Sequence, residues 1–429
     1  MKILYILPYL PVPPNSGNKN LIFGLLKYIN HNADFDVIML SESTTEDSSQ
    51  TTDLFKREFP NAGRVMVFAK PTGWKRRFQR IRYLLQGLHP ALGNYVNSEL
   101  WNWVHRATND QTYDLVHFDM FHTVIYQDAV KFTPCILIAS DAYSMAAATA
   151  RIYNHKFKEL LSNLIQEKLL KRMEIKYYPR FDAVCSVSPK DAEYLSRLTG
   201  MPIIHNVGIA VSDDYVKRPI THFISEKSKD RKVKLLLTGS LSHAVVADGV
   251  IGFIEKTLPV LRRQYAYLEV TILGKGATPE LKTCIARQIG VDYLDFVDDY
   301  AAFLEQDWIY VYPQRCGSGL QTKLQQAMAL GLPVVGYEIS FGGLKVINGE
   351  HAFICKDEEQ LARSVLHLLS SRDARIKMGK AAAYHTREFF SINNVGKKTM
   401  DIYKGLFGSK SRSQNISNSN EISSARLKS

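Results

Sequence analysis

Short apolar runs rich in Val, Ile and Leu alternate along this chain with longer segments whose apolar residues recur at helical spacing, and the series runs twice. Strands joined by helical crossovers pair in parallel, and helices then cover both faces of the sheet, so the fold class is α/β. In the first half the strand candidates are residues 3–7, 36–40, 64–68, 114–117, 135–139, 183–187 and 203–205, with helices over 19–29, 99–107, 156–177 and 190–198. In the second half they are 233–238, 267–273, 294–296, 309–312, 333–336 and 352–355, with helices over 248–262, 279–289, 301–305, 320–330 and 358–370. The stretch 213–232, polar, charged and containing Pro219, separates the two series.

The length of 429 residues agrees with two cores rather than one. The expected organisation is a first doubly wound, Rossmann-like domain over 1–212, a linker over 213–232 and a second such domain over 233–390. A C-terminal helix over 391–408, expected to cross back to the first domain, and a disordered Ser/Asn/Lys/Arg-rich tail over 409–429 complete it. Two facing sheets of this kind place a ligand cleft between the carboxyl ends of their strands.

Composition narrows the function classes. At 45% hydrophobic and 22% charged residues the chain has the make-up of a globular protein. Cys135, Cys185, Cys284, Cys316 and Cys355 are odd in number and scattered, so neither a disulfide framework nor a metal site is expected, and a reducing cytoplasm fits. Pro8, Pro11, Pro13 and Pro14 break the apolar N-terminal run, which reads as a first strand and its loop rather than a signal peptide. The uncharged stretch 324–337 is shorter than the roughly 20 residues a spanning helix needs.

The net charge of +12 is partly local: Lys70, Lys75, Arg76, Arg77, Arg80 and Arg82 cluster with no acidic residue between Pro71 and Ser98. Trp74, Phe78, Ile81, Leu85 and Leu88 recur there at helical spacing, so residues 74–88 form a helix with one basic and one apolar face. Two readings stand: the stripe packs on its own domain, or it docks on an acidic membrane surface, at the inner face of the cytoplasmic membrane. No nucleic-acid-binding motif accompanies the charge.

Two loops can hold a phosphate. After the first strand, Ser16, Gly17, Asn18 and Lys19 open a helix, whose N-terminus offers free N–H groups; a plain capping loop is the alternative. The second loop is Gly317-Ser318-Gly319, at the end of the strand over 309–312. It leads through Leu320, Gln321 and Thr322 into a helix carrying Lys323 and Gln326 on one face, stopped by Gly331 and Pro333. Neither loop is a dinucleotide fingerprint, so no nicotinamide cofactor is expected.

This second segment, through Gly317, Ser318, Gly319, Lys323, Ala327, Met328, Ala329, Gly331, Pro333, Val334 and Val335, resembles the nucleotide-sugar-binding motif of retaining glycosyltransferase family 4, the glycosyl transferases group 1. Thr238-Gly239-Ser240, Phe296-Val297-Asp298 and Gly342-Gly343 also lie where that family has similar elements, so the resemblance covers roughly residues 1 to 407. It implies a GT-B architecture and transfer of a hexose-type sugar, with retention, from a UDP- or GDP-linked donor to a glycan or lipid-linked acceptor. It implies no compulsory metal and no bound cofactor, and a setting in bacterial surface polysaccharide synthesis.

The donor would rest on Gly17, Gly239, Ser240, His243, the 317–319 loop, Leu320, Gln321, Thr322, Lys323 and Gln326, with Lys323 countering the departing diphosphate. Asp119 and His122, at the end of the strand over 114–117, would hydrogen-bond the transferred sugar or orient the acceptor, with a helix cap at Asp119 and a packing contact for the histidine as the alternative; Asp141 follows the next strand. The family typically has glutamates where this chain has Ser318 and Gln326. A catalytically impaired partner subunit and a GT-B epimerase or phosphorylase are the alternatives.

Overall fold

Lys2–Leu7 (β1) is buried along almost its whole length, which a strand tolerates only at the centre of a sheet covered on both faces. The computed structural model describes residues 1–42, 45–110, 112–153, 157–220, 233–315 and 320–407. Around β1 stand Asp34–Ser41 (β2), Val65–Ala69 (β3), Leu115–Asp119 (β4), Cys135–Ser140 (β5), Ala183–Ser186 (β6) and His205–Asn206 (β7). All pair in parallel, in the order β3-β2-β1-β4-β5-β6-β7.

The second sheet repeats the plan. Lys234–Thr238 (β8), Val270–Leu273 (β9), Val291–Leu294 (β10), Trp308–Tyr312 (β11), Val334–Tyr337 (β12) and Phe353–Cys355 (β13) run parallel in the order β10-β9-β8-β11-β12-β13. Every strand expected from the sequence is present, with ends moved by ladder pairing. Val291 to Leu294 take the register of Val270 to Leu273, so the strand expected over 294–296 starts earlier and leaves Phe296 in an exposed loop. Tyr267 and Ile289, expected inside a strand and a helix, lie outside both and are each 91% exposed.

In each sheet the winding reverses once, between β1 and β4 and between β8 and β11. The crevice at such a reversal is free of crossover helices at the carboxyl ends of the strands. The helices Gly17–Asn32 and Thr322–Ala329 follow β1 and β11 and therefore start at the two crevices.

Several contacts join the lobes. The Gln325 amide of the second lobe donates to the Ile209 carbonyl of the first at 2.8 Å. Helix Arg372–Phe389 packs on the Thr322–Ala329 helix so closely that a Cβ at Gly379 would fall 2.0 Å from the Gly331 carbonyl oxygen. Arg387 ties that helix to the Ala329, Tyr215 and Arg218 carbonyls. The chain then bridges to Val211, whose N–H donates to the Phe390 carbonyl, and residues 392–407 form a last helix. This helix meets the first lobe, with Gly396 against the Tyr28 ring and Tyr403 buried beside Tyr5.

The basic helix is Gly73–Leu85. Trp74 is 73% exposed, Phe78 58% and Leu85 83%, with Ile81 and Leu84 also open, so the stripe does not pack on its own lobe. Leu88 falls beyond the helix end and is buried instead. The polar side holds the helix in place: Arg76 donates to the Pro71 carbonyl at 2.7 Å and pairs with Glu42. Among the described residues no helix is long and apolar enough to cross a membrane.

Candidate functional site

On the second lobe the crevice floor is built from hydroxyls. Thr238, the last residue of β8, bonds through Oγ1 to the Tyr310 hydroxyl and receives the Tyr300 hydroxyl at 3.3 Å. Above this cluster the Lys323 ammonium lies 5.8 Å from the centre of the Tyr300 ring. Desolvation pulls the Lys323 pKa below the ordinary lysine value. An aromatic face offsets part of the cost of stripping water from a cation, and an anion would offset the rest.

Beside Lys323 the Tyr312 hydroxyl donates to Gln321 Oε1 at 2.9 Å, fixing the residue at which the Thr322–Ala329 helix starts. Gln321 gives that helix no side-chain cap and the first turn holds no acid, so among the described residues no capping side chain meets its leading N–H groups and positive dipole end. From the other lobe comes the start of helix Gly17–Asn32, again with no acid in its first turn: a Cβ at Gly17 would lie 3.6 Å from Thr322 Oγ1. Two positively polarised helix ends from opposite lobes thus meet beside Lys323.

The remaining donor candidates fall around this point or outside it. Gly317, Ser318 and Gly319 lie outside the described residues. Leu320 is buried under Gly343, a structural role. Thr322, Lys323 and Gln326 are half-buried along the first turns of the helix. Gly239 lies close against Gly274, where a Cβ would fall 1.9 Å from the Gly239 carbonyl oxygen, and a Cβ on Gly239 itself would fall 2.3 Å from Val246. Ser240 and His243 are exposed on the same loop, where Ser240 Oγ lies 3.3 Å from Ser242 Oγ.

On the first lobe Asp119 ends β4 and is 1% exposed. Its Oδ2 lies 3.0 Å from His117 Nε2, while its Oδ1 is buried without a partner. Met120 follows with φ of 62°, turning the chain sharply at the crevice, and its sulfur receives the Tyr9 hydroxyl. His122 is not joined to Asp119; it sits between the rings of Tyr95 and Phe121, at 4.4 and 3.9 Å. Burial, reinforced by Lys70 and His89, drives its pKa down to about 3. It is a neutral imidazole at physiological pH, suited to hydrogen bonding rather than to proton donation as a cation. Beyond β5, burial and the neighbouring Asp191 push Asp141 up to about 7.

Sequence reasoning missed Tyr9, Tyr95, Tyr300 and Tyr403 as site residues. These are single aromatic residues brought in from distant segments, with no local spacing to mark them.

Residues 232–371 match the family model Glycosyl transferases group 1. A phosphatidyl-myo-inositol mannosyltransferase of Propionibacterium freudenreichii subsp. shermanii is 24% identical over 402 residues, covering 89% of this chain and 90% of that protein. Among solved structures, Anabaena Alr3699/HepE in complex with UDP and glucose superposes with a TM-score of 0.64 at 13% identity, over 94% of this chain and 100% of its own. Sucrose-phosphate synthase from Thermosynechococcus elongatus gives a TM-score of 0.66 at 13% identity, over 95% and 100%.

Two doubly wound lobes facing each other across switch-point crevices define the GT-B class. The chain is a nucleotide-sugar-dependent GT-B glycosyltransferase resembling family 4, the glycosyl transferases group 1.

Proposed function

We propose that this protein transfers a hexose-type sugar, with retention, from a UDP- or GDP-linked donor to a lipid-linked or glycan acceptor in bacterial surface polysaccharide synthesis. The observation that carries the reading is the meeting of two acid-free helix starts, at Gly17 and Thr322, beside the half-buried cation of Lys323. A leaving diphosphate gains negative charge as the sugar–oxygen bond breaks, and fixed N–H dipoles with one desolvated cation stabilise that charge without reorganising. The 317–319 loop, Gln321 and Gln326 would complete the donor side, and the exposed Ser240 and His243 would border it. In Gln326 a neutral amide would hold the ribose hydroxyls where a glutamate is usual. Asp119 and His122 would hold the sugar and the acceptor.

A lipid-linked acceptor is supported by the exposed stripe of helix Gly73–Leu85. Trp74, Phe78, Ile81 and Leu85 beside Lys75, Arg77, Arg80 and Arg82 suit an anionic headgroup layer at the inner face of the cytoplasmic membrane. The Pro90–Tyr95 turn links this helix to the crevice, since Gly93 packs on the backbone of Arg80 and Tyr95 stacks on His122. The Propionibacterium relative is named for transfer to phosphatidyl-myo-inositol, again an acceptor at a membrane surface.

The test is a thermal-shift titration with UDP, GDP and their sugar conjugates, followed by transfer assays with the stabilising donor. A base-selective rise in Tm and a product with retained anomeric configuration are expected. Free sugar released without an acceptor, or a requirement for inorganic phosphate, would favour an epimerase or phosphorylase. No response to any nucleotide would favour a non-catalytic partner.

A further inference from the structure

Three hydroxyl and imidazole groups line up behind Asp119, and they come from three distant parts of the chain. Tyr5 on β1 pairs in register with His117 on β4, their rings 4.5 Å apart. Residues two apart on a strand point to the same face, so His117 and Asp119 both face the side covered by the last helix, residues 392–407. From that helix the Tyr403 hydroxyl reaches His117 Nδ1 at 2.6 Å, and the Tyr5 hydroxyl lies 3.0 Å from that of Tyr403. His117 Nε2 then meets Asp119 Oδ2 at 3.0 Å. All four side chains are buried, and Asp119 Oδ1 alone is left without a partner.

Hydrogen-bond chemistry gives the chain a direction. A carboxylate oxygen accepts, so His117 donates from Nε2, and in the neutral imidazole Nδ1 then accepts. Tyr403 therefore donates to Nδ1, and its oxygen accepts from Tyr5. Burial holds the Tyr403 hydroxyl well above the ordinary tyrosine pKa, so it keeps the proton this arrangement needs. The imidazole is locked in tautomer and orientation, and the carboxylate with it, leaving Oδ1 as a fixed acceptor where β4 ends at the crevice.

We infer that Tyr403 is a positioning residue for sugar recognition: from the C-terminal helix it orders His117, which fixes Asp119 to accept a hydroxyl of the transferred sugar. This rests on the donor-site reading above. It gives the last helix a task beyond packing, because the sugar subsite of the first lobe is incomplete without it. A buried acceptor left without a donor is unfavourable, so a sugar hydroxyl offered there has a gain to collect.

The test compares affinities by calorimetry for a nucleoside diphosphate and for its sugar conjugate, UDP and UDP-glucose or the GDP pair if guanosine binds. It uses the full chain and its Tyr403→Phe, Asp119→Asn and His117→Gln variants. Tyr403→Phe removes one oxygen and keeps the ring. The expected result is a loss of about tenfold in affinity for the nucleotide sugar, with the nucleoside diphosphate unchanged, in both Tyr403→Phe and Asp119→Asn. In a His117→Gln background Tyr403→Phe should cause no further loss, since the two act through one chain. A structural role alone would weaken both ligands alike. Equal affinities of wild type and Tyr403→Phe for the nucleotide sugar, or multiplying losses in the double variant, would overturn the inference while leaving the donor site intact. If the wild type binds no nucleotide at all, the donor-site reading fails, and this inference with it.

Discussion

The two lobes share one winding plan but present opposite chemistry where it reverses. Between β8 and β11 the crevice holds a desolvated cation and an uncapped helix end, whereas between β1 and β4 it holds the carboxylate of Asp119, with Asp141 and Asp191 nearby. The fold supplies the crevice, and the residues at the strand ends decide its ligand. On the proposed reading this divides a nucleotide sugar between them: the diphosphate at Lys323 and the two helix starts, the sugar towards Asp119.

The largest expected effect lies on the cationic side. Lys323→Ala should abolish stabilisation by the nucleoside diphosphate and lower kcat/KM about 100-fold or more, on the order of 3 kcal/mol of transition-state stabilisation. Nucleotide titration and steady-state transfer check this. Undiminished nucleotide binding would break the comparison, because the anion site would then lie elsewhere.

The second contrast lies between two helices of the first lobe. Helix Gly73–Leu85 on the first lobe leaves its aromatic stripe open, whereas the helix Ser98–Asn109 of the same lobe buries Leu100 and Val104. Phe78→Ser should lower partitioning onto vesicles containing phosphatidylglycerol about tenfold, the loss expected when one buried large apolar side chain is removed. Turnover on a soluble acceptor should be unchanged. Vesicle co-sedimentation at low and high salt separates the apolar from the basic contribution; equal partitioning of variant and wild type would remove the stripe from the interface.

Much of this plan was legible before any coordinates. Parallel crossovers make most strands continuous apolar runs, so the strands of the described residues could be read from the sequence, and the Lys323 helix declared itself through its glycine turn and its Gly331 stop. The acceptor side was legible only as Asp119 and His122, and their separation was not. Tyr403 stands 286 residues from His117, and no local pattern records such a contact. Likewise amphipathicity predicted helix Gly73–Leu85 without telling whether its stripe packs or stays open, because periodicity reports a face and not its partner.

The lobes are also stitched together through residues 392–407, and the fit there is tight. A Cβ at Gly396 would lie 2.1 Å from the Tyr28 ring, so Gly396→Ala should destabilise the protein by about 1 to 3 kcal/mol, as overpacking does. Combining it with Tyr28→Ala, which clears the ring, should recover part of the loss in chemical denaturation. Additive losses would mean that the last helix is held elsewhere.

The smallest expected effect tests the acidic side directly. Asp141 is raised to about 7 by burial and then by Asp191, and Glu174 to about 7 by burial against the opposing hydrogen bonds from Ser144. A carboxyl that binds its proton more tightly in the native state adds stability that is fully present below the unfolded value, about 4, and is lost as pH rises through about 7. Asp141→Asn removes that loss. The variant should therefore gain Tm over wild type at pH 8 but not at pH 4, by a few degrees, and Glu174→Gln should add a further gain of the same sign. A Tm difference independent of pH would mean that Asp141 titrates as an ordinary carboxylate. The first-lobe crevice would then carry a further negative charge at neutral pH.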